Sequence, residues 1–131
     1  MTPFHVDPDI RKAETLPGEF YTRDDVFERL KSAVFARSWQ WVGHGPTALP
    51  HAGSVAPFTL LEGMIDEPLV LTKQPDGTVH CLSNVCTHRG NLVVEAPGKQ
   101  RQLACRYHGR RFGLDGTFKF MPEFDDVEGF P

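Results

Sequence analysis

The sequence predicts a mostly β fold, a small antiparallel β-sandwich or barrel, with one helix near the N-terminus. Short runs that favour strands, at 55–61, 68–73, 78–85, 102–107 and 117–121, follow one another from residue 55 on. Turn signals at Pro75-Asp76-Gly77, Pro97-Gly98 and Asp115-Gly116 separate them. Ahead of these runs a single stretch has helical spacing, with Val26, Phe27, Leu30, Ala33 and Val34 recurring on one face.

Taken in order, residues 1–20 are rich in proline and charge and read as an extended arm. Thr22, followed three residues later by Asp25, reads as an N-cap and predicts a helix over 23–36. The arm and helix form a segment 1–45 that packs on the β-rich domain 46–121, with Phe27, Phe35, Trp39 and Trp41 as core aromatics. Residues 122–131 are acidic and aperiodic and read as a linker. At 131 residues and 40% hydrophobic content the chain can build one compact domain with its own core.

Charge and composition narrow the function classes. A net charge of -3 and a pI near 6.0 give no general reason to expect nucleic acid or an anionic membrane as partner. Met1 to Arg11 contains Pro3, Asp7, Pro8 and Asp9 and no apolar run, and nothing later approaches membrane-spanning length. The expectation is a cytoplasmic protein with neither nucleic acid nor membrane as partner. Three cysteines form an odd count, which argues against a disulfide framework and for reduced thiolates that hold metal.

Two short segments concentrate the metal-binding side chains: Cys86-Thr87-His88-Arg89-Gly90 and Cys105-Arg106-Tyr107-His108-Gly109. Each pairs one thiolate with one imidazole, and a glycine directly or closely follows each histidine, where a chain turning beside a cofactor needs no side chain. Facing one another at one end of a β-structure, such loops present sulfurs to one metal and nitrogens to a second. A tetrahedral zinc site is the alternative use of the same residues. Cys81 has no histidine at metal spacing and is expected in the core. His5, His44, His51 and His80 lie outside both motifs and read as surface or loop residues.

The two motifs resemble the Rieske centre, in which two histidines replace two cysteines on one iron of a [2Fe–2S] cluster. The resemblance implies that Cys86 and Cys105 bind the inner iron, and His88 and His108 the outer, more exposed one. Respiratory Rieske proteins carry a further cysteine in each loop where this chain has Asn91 and Tyr107, and a hydroxyl donor where it has Arg110. Fewer donors to the cluster imply a potential near the low end of the Rieske span of roughly −150 to +300 mV.

Leu16 to Thr22, Val26-Phe27, Phe35 to Gly43, Ser83 to Gly90 and Met121 to Phe124 are similar to bacterial ring-hydroxylating oxygenase α subunits. That likeness implies a single-electron carrier, fed by a ferredoxin or flavin reductase, whose 122–131 linker leads to a catalytic mononuclear-iron domain of the same or a neighbouring subunit. A homo-oligomer is a further implication for the full-length protein. No two-His-one-carboxylate set for that second iron is legible here, and no Gly-x-Gly-x-x-Gly turn supports nicotinamide or flavin binding. The alternatives are a stand-alone Rieske ferredoxin and a zinc-stabilised interaction module. Arg89, Lys99, Arg101, Arg106, Arg110 and Arg111, against the single acid Glu95, form a basic collar around the motifs that could receive an acidic partner.

Overall fold

The computed structural model describes residues 4–124 and 127–129. The described chain divides into two compact units, one running to Gln40 and the other starting at Trp41. The part of the expected linker that falls on residues 125, 126, 130 and 131 lies outside the described residues.

The first unit is more helical than the expected extended arm. A turn at Asp9 accepts the N–H groups of Lys12 and Ala13, and a one-turn helix α1 (Glu19–Thr22) precedes α2 (Asp24–Ala33). Thr22 does not cap α2. It ends α1, its hydroxyl donates to the Gly18 carbonyl, and Arg23 occupies the cap position without a side-chain bond. Asp24 and Asp25 supply the negative charge that the first turn of a helix favours, and Asp25 also pairs with Arg23 at 2.6 Å. A single 3-10 turn, Phe35–Arg37, follows, so the helix stops before residue 36. Val26 is buried, whereas Phe27 is 41% exposed and Trp39 wholly so. In the second unit Trp41 is 86% exposed. The expectation that these aromatics fill the core is therefore corrected for all three. Small units leave apolar surface that too few neighbours can cover.

The second unit is built on antiparallel sheets. After a one-turn helix α3 (Gly45–Ala48), a four-stranded sheet has the order β3-β2-β1-β4, formed by β1 (Ser54–Leu60), β2 (Glu67–Lys73), β3 (Val79–Ser83) and β4 (Gly98–Lys99). A three-stranded sheet follows, β5-β6-β7, formed by β5 (Leu103–Ala104), β6 (Arg111–Phe112) and β7 (Phe118–Phe120). The Asp76-Gly77 and Asp115-Gly116 signals make equivalent hairpin turns. In each the glycine N–H bonds back three residues, and a threonine N–H bonds to the aspartate carboxylate. Pro97-Gly98 is not a turn: Gly98 pairs with Val55 as part of β4.

Val55 and Val70 from the first sheet meet Leu103 and Phe112 from the second in one core, with Val93, Val94 and Leu114 filling between. Burial of these side chains is the main stabilising term, about 1.5–3 kcal/mol for each large one. Thr72, fully buried, donates its hydroxyl to the Leu114 carbonyl and ties the two sheets together. Both motif cysteines belong to this core. Cys81 does not. Leu82 takes the core side of β3, so the period-two alternation turns Cys81 outward, which corrects the expectation that it is buried.

Candidate metal centre

Both motifs leave strands of the second unit and return through loops closed by the same backbone bonds. The Cys86 N–H donates to the Asn91 carbonyl at 2.8 Å, and the Gly90 N–H donates to the Cys86 carbonyl at 3.0 Å. In the second loop the Cys105 N–H donates to the Arg110 carbonyl at 2.9 Å, and the Gly109 N–H to the Cys105 carbonyl at 3.0 Å. The glycine four residues after each cysteine has φ of 70° (Gly90) or 75° (Gly109), a left-handed turn that costs a residue with a Cβ about 1–2 kcal/mol. The run 102–107 was expected to be a continuous strand. Instead β5 ends at Ala104, because the backbone from Cys105 on is committed to this loop.

These loops hold their cysteines deep and their histidines outward. Cys86 is 2% and Cys105 3% exposed, His88 is half-buried and His108 exposed. The two imidazole rings lie with centroids 4.7 Å apart at an interplanar angle of 66°. Tyr107, itself exposed, tilts against His108 at 3.8 Å.

The electrostatics suit metal ligation. Burial pushes the Cys105 thiol up, but N–H groups of Tyr107 and His108, the Cys86 thiol and the Asn91 amide outweigh it and hold the thiol below its ordinary value. Desolvation, helped by the charges of His108, Arg89 and Arg110, lowers His88 and keeps its ring neutral, the form a metal takes. Partial desolvation of Cys81, which stays exposed, pushes its thiol the other way. Among the described residues no group of three or more of His, Cys, Asp and Glu is placed to hold a single ion. A pair of irons needs only two protein ligands each, and two thiols with two imidazoles fit that demand.

Asn84 was not singled out by the sequence, yet it fixes the first loop. Buried, it donates from Nδ2 to the Val94 carbonyl at 2.7 Å and accepts the Val94 N–H on Oδ1 at 2.8 Å, so one amide side chain acts as a missing strand. Of the expected basic collar only Arg110 is buried; Arg89, Lys99, Arg101, Arg106 and Arg111 are exposed. Arg106 pairs with Glu95 at 3.2 Å, Arg111 lies over Phe120 at 5.4 Å, and Arg110 is buried over Phe118 at 4.8 Å. His44 and His51 are exposed loop residues, as is His5, but His80 is half-buried on β3 and bonded to Gln74 at 2.7 Å.

The family model of the Rieske [2Fe-2S] domain matches residues 41–131. The carnitine monooxygenase oxygenase subunit of Acinetobacter pittii (strain PHEA-2) is 36% identical over 129 residues, 97% of this chain and 33% of its own length. The large oxygenase component of the naphthalene 1,2-dioxygenase system of Pseudomonas aeruginosa is 31% identical over 107 residues, 81% of this chain and 23% of its own. A solved structure of a quaternary ammonium Rieske monooxygenase superposes with a TM-score of 0.76 at 35% identity, covering 91% of this chain and 32% of that one. The chain thus spans about a third or less of the length of these relatives. No described helix is long and apolar enough to cross a membrane. The chain belongs to the Rieske [2Fe–2S] domain family, whose members include the cluster-binding regions of oxygenase large subunits.

Proposed function

We propose that this chain is the electron-transfer domain of an oxygenase α subunit, with Cys86, His88, Cys105 and His108 as the ligands of its [2Fe–2S] cluster. The observation that carries the reading is the pairing of two identically closed loops, which bring two buried thiols and two outward imidazoles together. Cys86 and Cys105 would hold one iron from within the core, and His88 and His108 would hold the other nearer the surface. When bound, the cluster takes up and releases single electrons. The chain's own part is to bury the thiols, to turn the imidazoles outward, and to leave the histidine edge open to a redox partner.

That partner, on this reading, is a ferredoxin or flavin reductase as donor, and the acceptor is a catalytic mononuclear-iron domain of the same or a neighbouring subunit. A related quaternary ammonium Rieske monooxygenase, described as transferring electrons between subunits, supports a homo-oligomer in which such transfer occurs. On this reading residues 46–121 carry the cluster and 122–131 lead toward the catalytic domain. The chain, purified without oxygen and reduced with dithionite, is expected to give the low average g-value resonance of mixed His/Cys ligation. A spectrum of four-cysteine type overturns the ligand assignment.

A further inference from the structure

Asn91 sits where the first loop closes, and its two ends do different work. Its carbonyl accepts the Cys86 N–H at 2.8 Å, which anchors its backbone to its own loop. Its side-chain Nδ2 donates to the Leu92 carbonyl at 2.7 Å and lies 3.8 Å from the Cys105 sulfur of the other loop, within reach of an N–H···S bond. An amide nitrogen has two hydrogens, so both contacts can be made at once, and the Leu92 bond fixes the plane that aims the second hydrogen at sulfur. Leu92 is itself held by a bridge to Val85. The corresponding residue of the second loop, Arg110, sends its side chain over Phe112 and Phe118.

We propose that Asn91 is a positioning residue that braces the two cluster loops and raises the reduction potential by donating a hydrogen bond to the Cys105 sulfur. This rests on the ligand assignment above. A donor to a ligand sulfur stabilises the more negative state, because each added electron increases the charge on the sulfurs that the N–H faces. Its sulfur end is buried and Asn91 half-buried, and partial exclusion of water strengthens the contact. It also spans the two loops where no covalent bond does, since Cys81, Cys86 and Cys105 are all free thiols.

The test is a redox titration of the cluster-loaded chain and of two variants. Asn91→Leu keeps roughly the volume and removes the donor; Asn91→Asp keeps the shape, removes the donor and adds negative charge. With the cluster absorption retained, the one-electron reduction constant is expected to fall about tenfold in Asn91→Leu, equivalent to about 59 mV more negative, and further in Asn91→Asp. An unchanged potential in loaded Asn91→Leu overturns the proposal. Should that variant fail to take up the cluster, the unaltered chain still decides. The sequence has only two asparagines, Asn84 and Asn91, and the Asn84 amide is occupied by Val94. Labelling asparagine side chains with nitrogen-15 should therefore give a weak hyperfine coupling to the reduced cluster, and its absence overturns the proposal equally. Failure of the ligand assignment would look different: Cys105→Ser would keep the cluster.

Discussion

The two cluster loops are closed by matching backbone bonds and yet are supported in different ways. The second loop hangs between paired strands. Leu103 and Ala104 of β5 pair with Phe112 and Arg111 of β6, so the chain enters and leaves Cys105–Arg110 through a ladder. The first loop is flanked, among the described residues, by one isolated bridge, Val85 with Leu92, and by the Val93 N–H donating to the Asn84 carbonyl at 3.1 Å, and Asn84 adds its side chain to that frame. The histidine also stands two residues after its cysteine in the first loop and three after it in the second. One loop geometry therefore accommodates different cysteine–histidine spacings, with the glycine at the fourth position turning the chain in both. The comparison teaches that closure is set by backbone and glycine, while rigidity is borrowed from whatever surrounds the loop.

The largest expected effect treats both loops alike. Cys86→Ser and Cys105→Ser should each abolish the visible absorption of the cluster, because either loop loses its buried ligand, while Cys81→Ala should leave the spectrum nearly intact. A bleached Cys81→Ala protein would show that the ligand set is wrong.

Next comes a change expected to harm one loop only. Asn84→Ala leaves the Val94 N–H and carbonyl without the bonds that Asn84 supplies. Stranding those groups should destabilise the chain by about 3 kcal/mol, read as a lower denaturant midpoint with unchanged slope. A loss below about 1 kcal/mol would mean that water or neighbouring backbone replaces the amide readily.

Smaller and more discriminating is the pair Gly90→Ala and Gly109→Ala. Both glycines have positive φ, but a Cβ at Gly90 meets nothing within 4 Å, whereas one at Gly109 comes 3.0 Å from Pro122 Cγ. Backbone strain alone should cost Gly90→Ala about 1 kcal/mol, and Gly109→Ala should cost about 2 kcal/mol because the proline must also move. Equal losses in thermal unfolding would indicate that Pro122 gives way freely.

Much of the candidate site was legible in the sequence because residue type and short spacing single out Cys86, His88, Cys105 and His108, and the structure draws both cysteines into one core and both histidine rings together. The long strands were legible too, since β1 and β2 combine apolar runs with unambiguous turns. What escaped was set by pairing across the fold. Gly98 has no strand propensity and pairs only because Val55 lies alongside it. The run at 102–107 favours strand residue by residue, but the Arg110 carbonyl takes the Cys105 N–H and ends it. Asn84 falls inside the predicted strand run 78–85, and only its spatial neighbour Val94, ten residues away, shows its role. Cys81 was misplaced because its burial depends on which side of β3 Leu82 chooses.

The smallest effect probes the turns that carry the loops from the far end of their hairpins. Asp76 lies in the turn before β3, which leads into the first loop, and Asp115 in the turn after β6, which receives the second. The Thr78 N–H, with its hydroxyl, holds the Asp76 carboxyl below its ordinary value of 3.8, and the Thr117 hydroxyl, with its N–H, does the same for Asp115. A carboxylate depressed on folding stabilises the native state above its unfolded value, and that contribution disappears as pH falls through the folded value. Asn at either position keeps an oxygen for the threonine N–H but loses the charge. Asp76→Asn and Asp115→Asn should therefore be slightly less stable than the unaltered chain near neutrality and should converge with it in acid, as followed by urea midpoints from about pH 6 to about pH 2. Both turns use the same bonds, so the two curves should match. A pH-dependent loss confined to Asp115→Asn would mean that the second loop draws stability from its hairpin turn, and that the ladder around Cys105 and Arg110 is less self-sufficient than its pairing indicates.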